Sequence, residues 1–302
     1  MEFHFWLYKT LKGGINLKTQ VMKKILLPTD FSDNSWNSIV YALKLFKDEV
    51  CTFYLLNTYT PAVYHIEYVL VNPAQFGLVD SERSTSMNKL EKFHDKIKKT
   101  LRNPNHRIEK MSVFNSLIPE IKDQIKEKKI DYIVMGTKGA TGAKEVLFGS
   151  NTVHVLNQVK CPVIAVPEDF KYEKPHELLF PTDFEIHYKN KHLSLILNIA
   201  KKHTSRVHVL HVSYGYDLTE IQKQNKALLE SKLKKVANIF HDVSNQNVED
   251  AIANFQIKNK VNMLIMINNK HSFFENLFFK KLIHHIGFHL NIPFLVIPSK
   301  IL

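Results

Sequence analysis

The sequence has very little cysteine: two residues in 302, Cys51 and Cys161, far apart and in no C-x-x-C pair. That excludes a disulfide framework for a chain of this size and fits a reducing compartment. Each cysteine opens an apolar strand-like run, so each is expected as a small buried hydrophobe rather than a reactive thiol. No run approaches the roughly 18 consecutive apolar residues that a membrane helix needs. A soluble, cytoplasmic protein with no membrane partner is the expectation. Residues 1–21 carry an apolar stretch with Phe3, Phe5, Trp6 and Leu7, but Glu2 precedes it where a signal peptide carries positive charge, and Lys9 ends it. We read 1–21 as an extension outside the fold, upstream of an alternative start at Met22. Catalytic signatures are missing too. There is no Ser-His-Asp ordering, no pair of catalytic carboxylates and no G-x-x-x-x-G-K, so nothing nominates a nucleophile or a general base.

Concentrated charge is also absent. The net charge of +12 divides evenly, with 22 Lys/Arg against 16 Asp/Glu in residues 1–150 and 19 against 13 in residues 151–302. A dedicated nucleic-acid groove would gather its cations on one surface, so no specific nucleic-acid partner is expected. The sharpest basic run, Lys96-Ile97-Lys98-Lys99, falls on a helical pattern and reads as its solvated face.

What is present is a repeat. Lys24-Ile25-Leu26-Leu27-Pro28-Thr29-Asp30-Phe31 returns as Glu177-Leu178-Leu179-Phe180-Pro181-Thr182-Asp183-Phe184, sharing L-x-P-T-D-F. Cys161-Pro162-Val163-Ile164-Ala165-Val166-Pro167 returns as Ile292-Pro293-Phe294-Leu295-Val296-Ile297-Pro298. Each half opens and closes with the same strand signature, and the length suits two units of about 150 residues. Strand-like runs at 25–28, 52–57, 107–113, 132–135 and 163–166 alternate with helical patterns. Those patterns run through Trp36, Ile39, Ala42, Leu43 and Phe46; Leu90, Phe93, Ile97 and Leu101; Leu117, Ile121 and Ile125; and Val153, Leu156 and Val159. The second half repeats this more loosely, with strands at 207–211 and 263–267, one helical pattern through Leu228, Leu233 and Ile239, and another over 248–255. The alternation predicts an α/β chain of two tandem doubly wound, Rossmann-like domains, each a mostly parallel five-stranded sheet with helices on both faces. The expected domains are 22–168 and 176–302, joined by a polar linker at 169–175.

The strongest local signal follows the strand-like run at 132–135: Met135-Gly136-Thr137-Lys138-Gly139, then Gly149-Ser150-Asn151-Thr152 after nine residues. Gly136 and Gly139 let the backbone turn and approach a ligand. Gly149 and Ser150 stand where a helix begins, so unpaired N–H groups and the helix dipole would face an anion. The hydroxyls of Ser150 and Thr152 are candidate donors to phosphate oxygens. Ligands of open parallel sheets bind beyond the carboxyl ends of the strands, where both Asp30 and the glycine segment lie.

The spacing Gly136-x2-Gly139-x9-Gly149-Ser150, with Pro28-Thr29-Asp30 at the first strand end, resembles the ATP-binding members of the universal stress protein family. The resemblance covers about 22–168 with its motifs and the second half in outline. It implies an adenine-nucleotide site for ATP with Mg²⁺. Pro28, Thr29 and Asp30 would lie near the ribose and adenine, and the backbone around Thr58 near the base. Met135, Gly136, Gly139, Gly149, Ser150 and Thr152 would hold the phosphates, with Asn151 contributing its backbone N–H. Asn151 departs from the apolar residue common in the family, which leaves its side chain without a role. The resemblance also implies pairing of the two halves through their last strands, 163–166 against 294–297, and allows a homodimer.

In the second half Asp183 persists, but aligning Ile292-Pro293 with Cys161-Pro162 puts Ile267 and Lys270 at the first two glycine positions and Lys280 and Lys281 at the last two. A degenerate site, kept mainly for pairing, is expected there; Lys270, Lys280 and Lys281 binding another anion by charge is the alternative. His285 and His289 have i, i+4 spacing, but two ligands do not make a zinc site. The expected function is a nucleotide-sensing stress-response or regulatory protein with one ATP site and at most slow ATP hydrolysis through Asp30 and Mg²⁺. Two other readings stay open: a pairing module that binds no nucleotide, and a nucleotidyl-transfer enzyme on the adenine nucleotide α-hydrolase type of sheet.

Overall fold

The computed structural model describes residues 22–60, 74–138, 149–213, 215–268 and 291–301. The N-terminal extension, Gly139, Lys270, Lys280, Lys281, His285 and His289 lie outside the described residues.

The first half contains β1 (Lys23–Pro28), α1 (Asp33–Leu45), β2 (Cys51–Tyr59), α2 (Ala74–Thr100), β3 (His106–Phe114), α3 (Leu117–Lys128), β4 (Tyr132–Gly136), α4 (Ser150–Gln158) and β5 (Val163–Val166). The second contains β6 (Glu177–Pro181), α5 (Asn190–His203), β7 (Arg206–Ser213), α6 (Glu220–Leu233), β8 (Ala237–Ser244), α7 (Val248–Lys258), β9 (Met263–Asn268) and β10 (Phe294–Pro298). The ten strands among the described residues form one sheet in the order β3-β2-β1-β4-β5-β10-β9-β6-β7-β8. Every neighbouring pair is parallel except β5 and β10, which run antiparallel with Phe294 opposite Ala165, Leu295 opposite Ile164 and Val296 opposite Val163. The α/β architecture read from periodicity is therefore present, with the two five-stranded halves fused into a continuous sheet.

The central strands are apolar on both faces because helices cover both. Ile25, Leu27, Phe53, Phe180 and Ile265 join one core with α1, α2, α5 and α6, while Leu26, Ile133, Leu179 and Leu264 join the other with α3, α4 and α7. Each core runs through both halves. Residues 294–297 of β10 are almost completely buried, and full burial of such side chains contributes about 1.5–3 kcal/mol apiece. The segment between the halves is docked rather than loose. Asn37 Nδ2 donates to the carbonyls of Pro167, Glu168 and Phe170, and Tyr172 packs edge-on against Tyr41 at 5.4 Å. Both cysteines are free and buried, and burial pushes the Cys51 thiol up to about 12 and the Cys161 thiol in the same direction. No helix among the described residues is long and apolar enough to cross a membrane.

Two parts of the second half differ from the periodicity reading. Ile239 does not continue the helix of Leu228 and Leu233: α6 stops at Leu233 and Ile239 lies in the edge strand β8, 43% exposed. An edge strand half in water carries no continuous apolar run to announce it. Helix α5, with Leu193, Ile196 and Ala200 buried on one stripe, also went unread.

The fold carries an acid-sensitive group. His203, at the end of α5, is held down to about 4 from its ordinary 6.5, first by burial and then by Lys202 and Lys174. Between about 6.5 and about 4 the unfolded chain takes up a proton that the folded chain refuses, so stability falls as the pH drops through that window and levels off below it. The contribution is up to about 3 kcal/mol. Thermal unfolding measured from pH 7 to pH 4 should fall more steeply for the native chain than for His203→Gln; parallel curves would show that His203 does not titrate on unfolding.

Candidate functional site

At the end of β1 the chain turns sharply. Phe31 takes a left-handed conformation with φ of 66°, which costs a non-glycine residue on the order of 1–2 kcal/mol. Local bonds impose it: Thr29 Oγ1 accepts from Phe31 N at 3.0 Å, and Asp30 Oδ1 accepts from Ser32 N at 3.0 Å and from Ser32 Oγ at 2.6 Å. Ser32 then caps α1 by accepting from Ser35 N. The Phe31 ring meets Phe93 edge-on at 5.3 Å. Asp30 itself is exposed, at the carboxyl edge of the sheet.

β2, β1 and β4 are neighbours, so Thr58, Asp30 and Gly136 come together at one end of three adjacent strands. Asn57 joins the first two, donating from Nδ2 to the Thr29 carbonyl at 2.8 Å while its Oδ1 accepts from Ser86 Oγ, which in turn accepts from Ser112 Oγ. Asn34 joins the third, donating from Nδ2 to the Lys138 carbonyl at 2.9 Å. These polar residues were missed in the sequence because lone Asn and Ser residues carry no spacing signal. Gly136 has a packing reason to be glycine: a Cβ there would stand 2.7 Å from the Asn34 carboxamide, which is buried and whose Oδ1 has no hydrogen-bond partner among the described residues.

α4 begins opposite this junction. Gly149 N donates to the Thr137 carbonyl at 2.7 Å and sets the helix start. Gly149 offers no side-chain cap, and the first turn carries no acidic residue. Among the described residues the first N–H groups of the helix therefore have neither an intrahelical acceptor nor a side-chain partner, and the dipole there favours an anion. Ser150 and Asn151 are exposed beside them. Thr152 behaves otherwise than expected: it is buried, and its hydroxyl donates to the Gly136 carbonyl at 2.9 Å. That bond fastens α4 to β4 and positions the helix start.

The second half keeps the turn and differs around it. Phe184 has φ of 59°, Thr182 Oγ1 accepts from Phe184 N at 3.0 Å, and Asp183 Oδ1 accepts from Glu185 N at 3.0 Å. The strand register sets Gly136 beside Val166 and Ile267 beside Ile297, so Ile267 stands where the first half has Gly136. Glu185 replaces Ser32, and burial together with Asp183 raises its carboxyl pKa. Helix α6 closes over the loop, with Gln222 donating to the Asp183 carbonyl and Asn225 to the Phe184 carbonyl.

Comparison with known proteins gives a consistent picture. Residues 22–167 match the model of the universal stress protein family. A universal stress protein of Methanocaldococcus jannaschii is 30% identical over 173 residues, covering 56% of this chain and 93% of that protein. A second from the same archaeon is 31% identical over 152 residues, covering 48% and 94%. A solved universal stress protein from Archaeoglobus fulgidus shares the fold through both halves, with a TM-score of 0.60 at 18% identity over 91% of this chain and 96% of that one.

The Gly136–Asn34 contact makes a separable prediction. Gly136→Ala should destabilise the chain by about 1–3 kcal/mol, as overpacking does. In an Asn34→Ala background the same change should cost less than half as much. Chemical unfolding of the four proteins reads the coupling, and additive effects would remove this explanation of the glycine.

Proposed function

Because the chain belongs to the universal stress protein family, we propose that it binds one adenine nucleotide, ATP with Mg²⁺, in its first half and acts as a nucleotide-sensing stress-response protein. The observation that carries the reading is the start of α4 at Gly149, which among the described residues has no side-chain cap and no acid in its first turn and is tied to the carboxyl end of β4 through Thr137 and Gly136. In this proposal the N–H groups of Ser150 and Asn151, with the Ser150 hydroxyl, receive the phosphates. Asp30 and the backbone at Thr58 meet the ribose and base, and Gly139 completes the phosphate loop. Magnesium neutralises phosphate charge. The second half, with Ile267 and Glu185 in the way, serves pairing. The two free cysteines agree with a cytoplasmic setting, which is part of the same proposal.

The paired turns supply their own control. Asp30 and Asp183 each accept one backbone N–H at 3.0 Å in equivalent turns, and Asp30 also accepts from Ser32 Oγ, so the backbone part of the structural loss on mutation to alanine is shared. Asp30→Ala should also lose a charge-assisted contact to the nucleotide, about ten- to hundredfold in affinity, whereas Asp183→Ala should bind ATP as the native chain does. Gly149→Lys, which fills the helix start, should abolish binding with the fold intact. Calorimetric titration of ATP with Mg²⁺ decides; native affinity in a folded Gly149→Lys chain would remove the site.

A further inference from the structure

A cavity of about 660 Å³ opens where the two halves meet. It lies at the amino-terminal ends of β4 and β5, the opposite edge of the sheet from Gly136 and Gly149, and so is separate from the site described above. Four lysines from three segments line it: Lys126 and Lys129 at the end of α3, Lys160 just before β5, and Lys191 in the first turn of α5. All four are exposed, and none is in an ion pair among the described residues. The one acid in the lining, Asp131, accepts from the backbone N–H of Lys24 at 2.8 Å. Elsewhere along the same junction Glu49 pairs with both Lys23 and Lys202. Between the lysines the wall is apolar, with Ile130, Pro162, Leu195 and Ile301 drawn from both halves.

We propose that this cavity binds a small amphiphilic anion, a carboxylate or phosphate head on an unbranched apolar body. The volume falls in the range of small-molecule sites, about 300–1,000 Å³. A cleft lined by charge of one sign with low-dielectric walls concentrates the opposite charge. The apolar wall gives the body of the ligand a surface to leave water for, and the lysines select an acidic head over a neutral one. Because α3 and α5 each contribute a wall, the ligand bridges the halves and stabilises their junction.

The test uses the full chain and three probes: decanoate, decyl phosphate and decanol as the neutral control. Calorimetry should show one saturable site per chain for at least one of the two anions, with decanol about tenfold or more weaker. Lys129→Glu with Lys160→Glu should cost about tenfold or more, and Ser194→Trp, placed on the exposed side of α5 to fill the cavity, should remove the site while circular dichroism stays native. Saturating ATP should leave anion binding unchanged. Absence of saturable binding by both anions, undiminished binding by the two variants, equal binding of decanol, or displacement by ATP would each overturn the proposal. Decanoate and decyl phosphate, compared directly, tell a carboxylate head from a phosphate head.

Discussion

Four residues of β5 set against β10 govern the architecture. Left alone, each five-stranded half would end in an unpaired edge that is apolar on both faces, a surface that recruits other chains. The antiparallel pairing of 163–165 with 294–296 removes both edges at once and lets each core run from one half into the other. It also has a geometric effect. Parallel strands end on a common edge, so an antiparallel join turns the carboxyl ends of the two halves to opposite sides of the sheet. One half's ligand edge can therefore decay without disturbing the other's, while the pairing that holds both is kept.

The likeness between the two turns is one the bonds explain. Thr29, Asp30 and Phe31 are matched in the second half by Thr182, Asp183 and Phe184 because that string builds a left-handed turn out of its own hydrogen bonds. Loss of the turn would release the first residues after the central strand of either half. The persistence of Asp183 thus has a folding reason of its own. What differs lies around the turn: Ile267 for Gly136, Glu185 for Ser32, and amides from α6 laid over the loop. Each change adds bulk or negative charge where an anion would approach.

How much of this was legible depends on which force shaped each segment. Val163–Val166 is apolar on both faces and was read to its boundaries, whereas β1 begins two residues earlier than its apolar run because Lys23 and Lys24 are half-buried and their backbone still joins the ladder. In β8 the exposed–half-buried alternation slips once, at Phe240–His241, and Ile239 lies in register with the helical spacing of Leu228 and Leu233. In the site, glycine spacing and helix start were readable because backbone requirements leave residue-type signatures. Hydroxyl and amide roles were not. Thr152 looks the same in sequence whether it donates to a phosphate or to the Gly136 carbonyl, and Asn34 reveals its part only when Gly136 is seen beside it.

The central claim is that one half holds a nucleotide and the other is closed to it. Counting ATP bound per chain, by calorimetry with magnesium on protein stripped of nucleotide, tests that claim most directly. The account predicts a single site per chain. Two equivalent sites would show that Ile267 and Glu185 do not close the second half, and no site at all would leave the chain as a pairing module without a nucleotide.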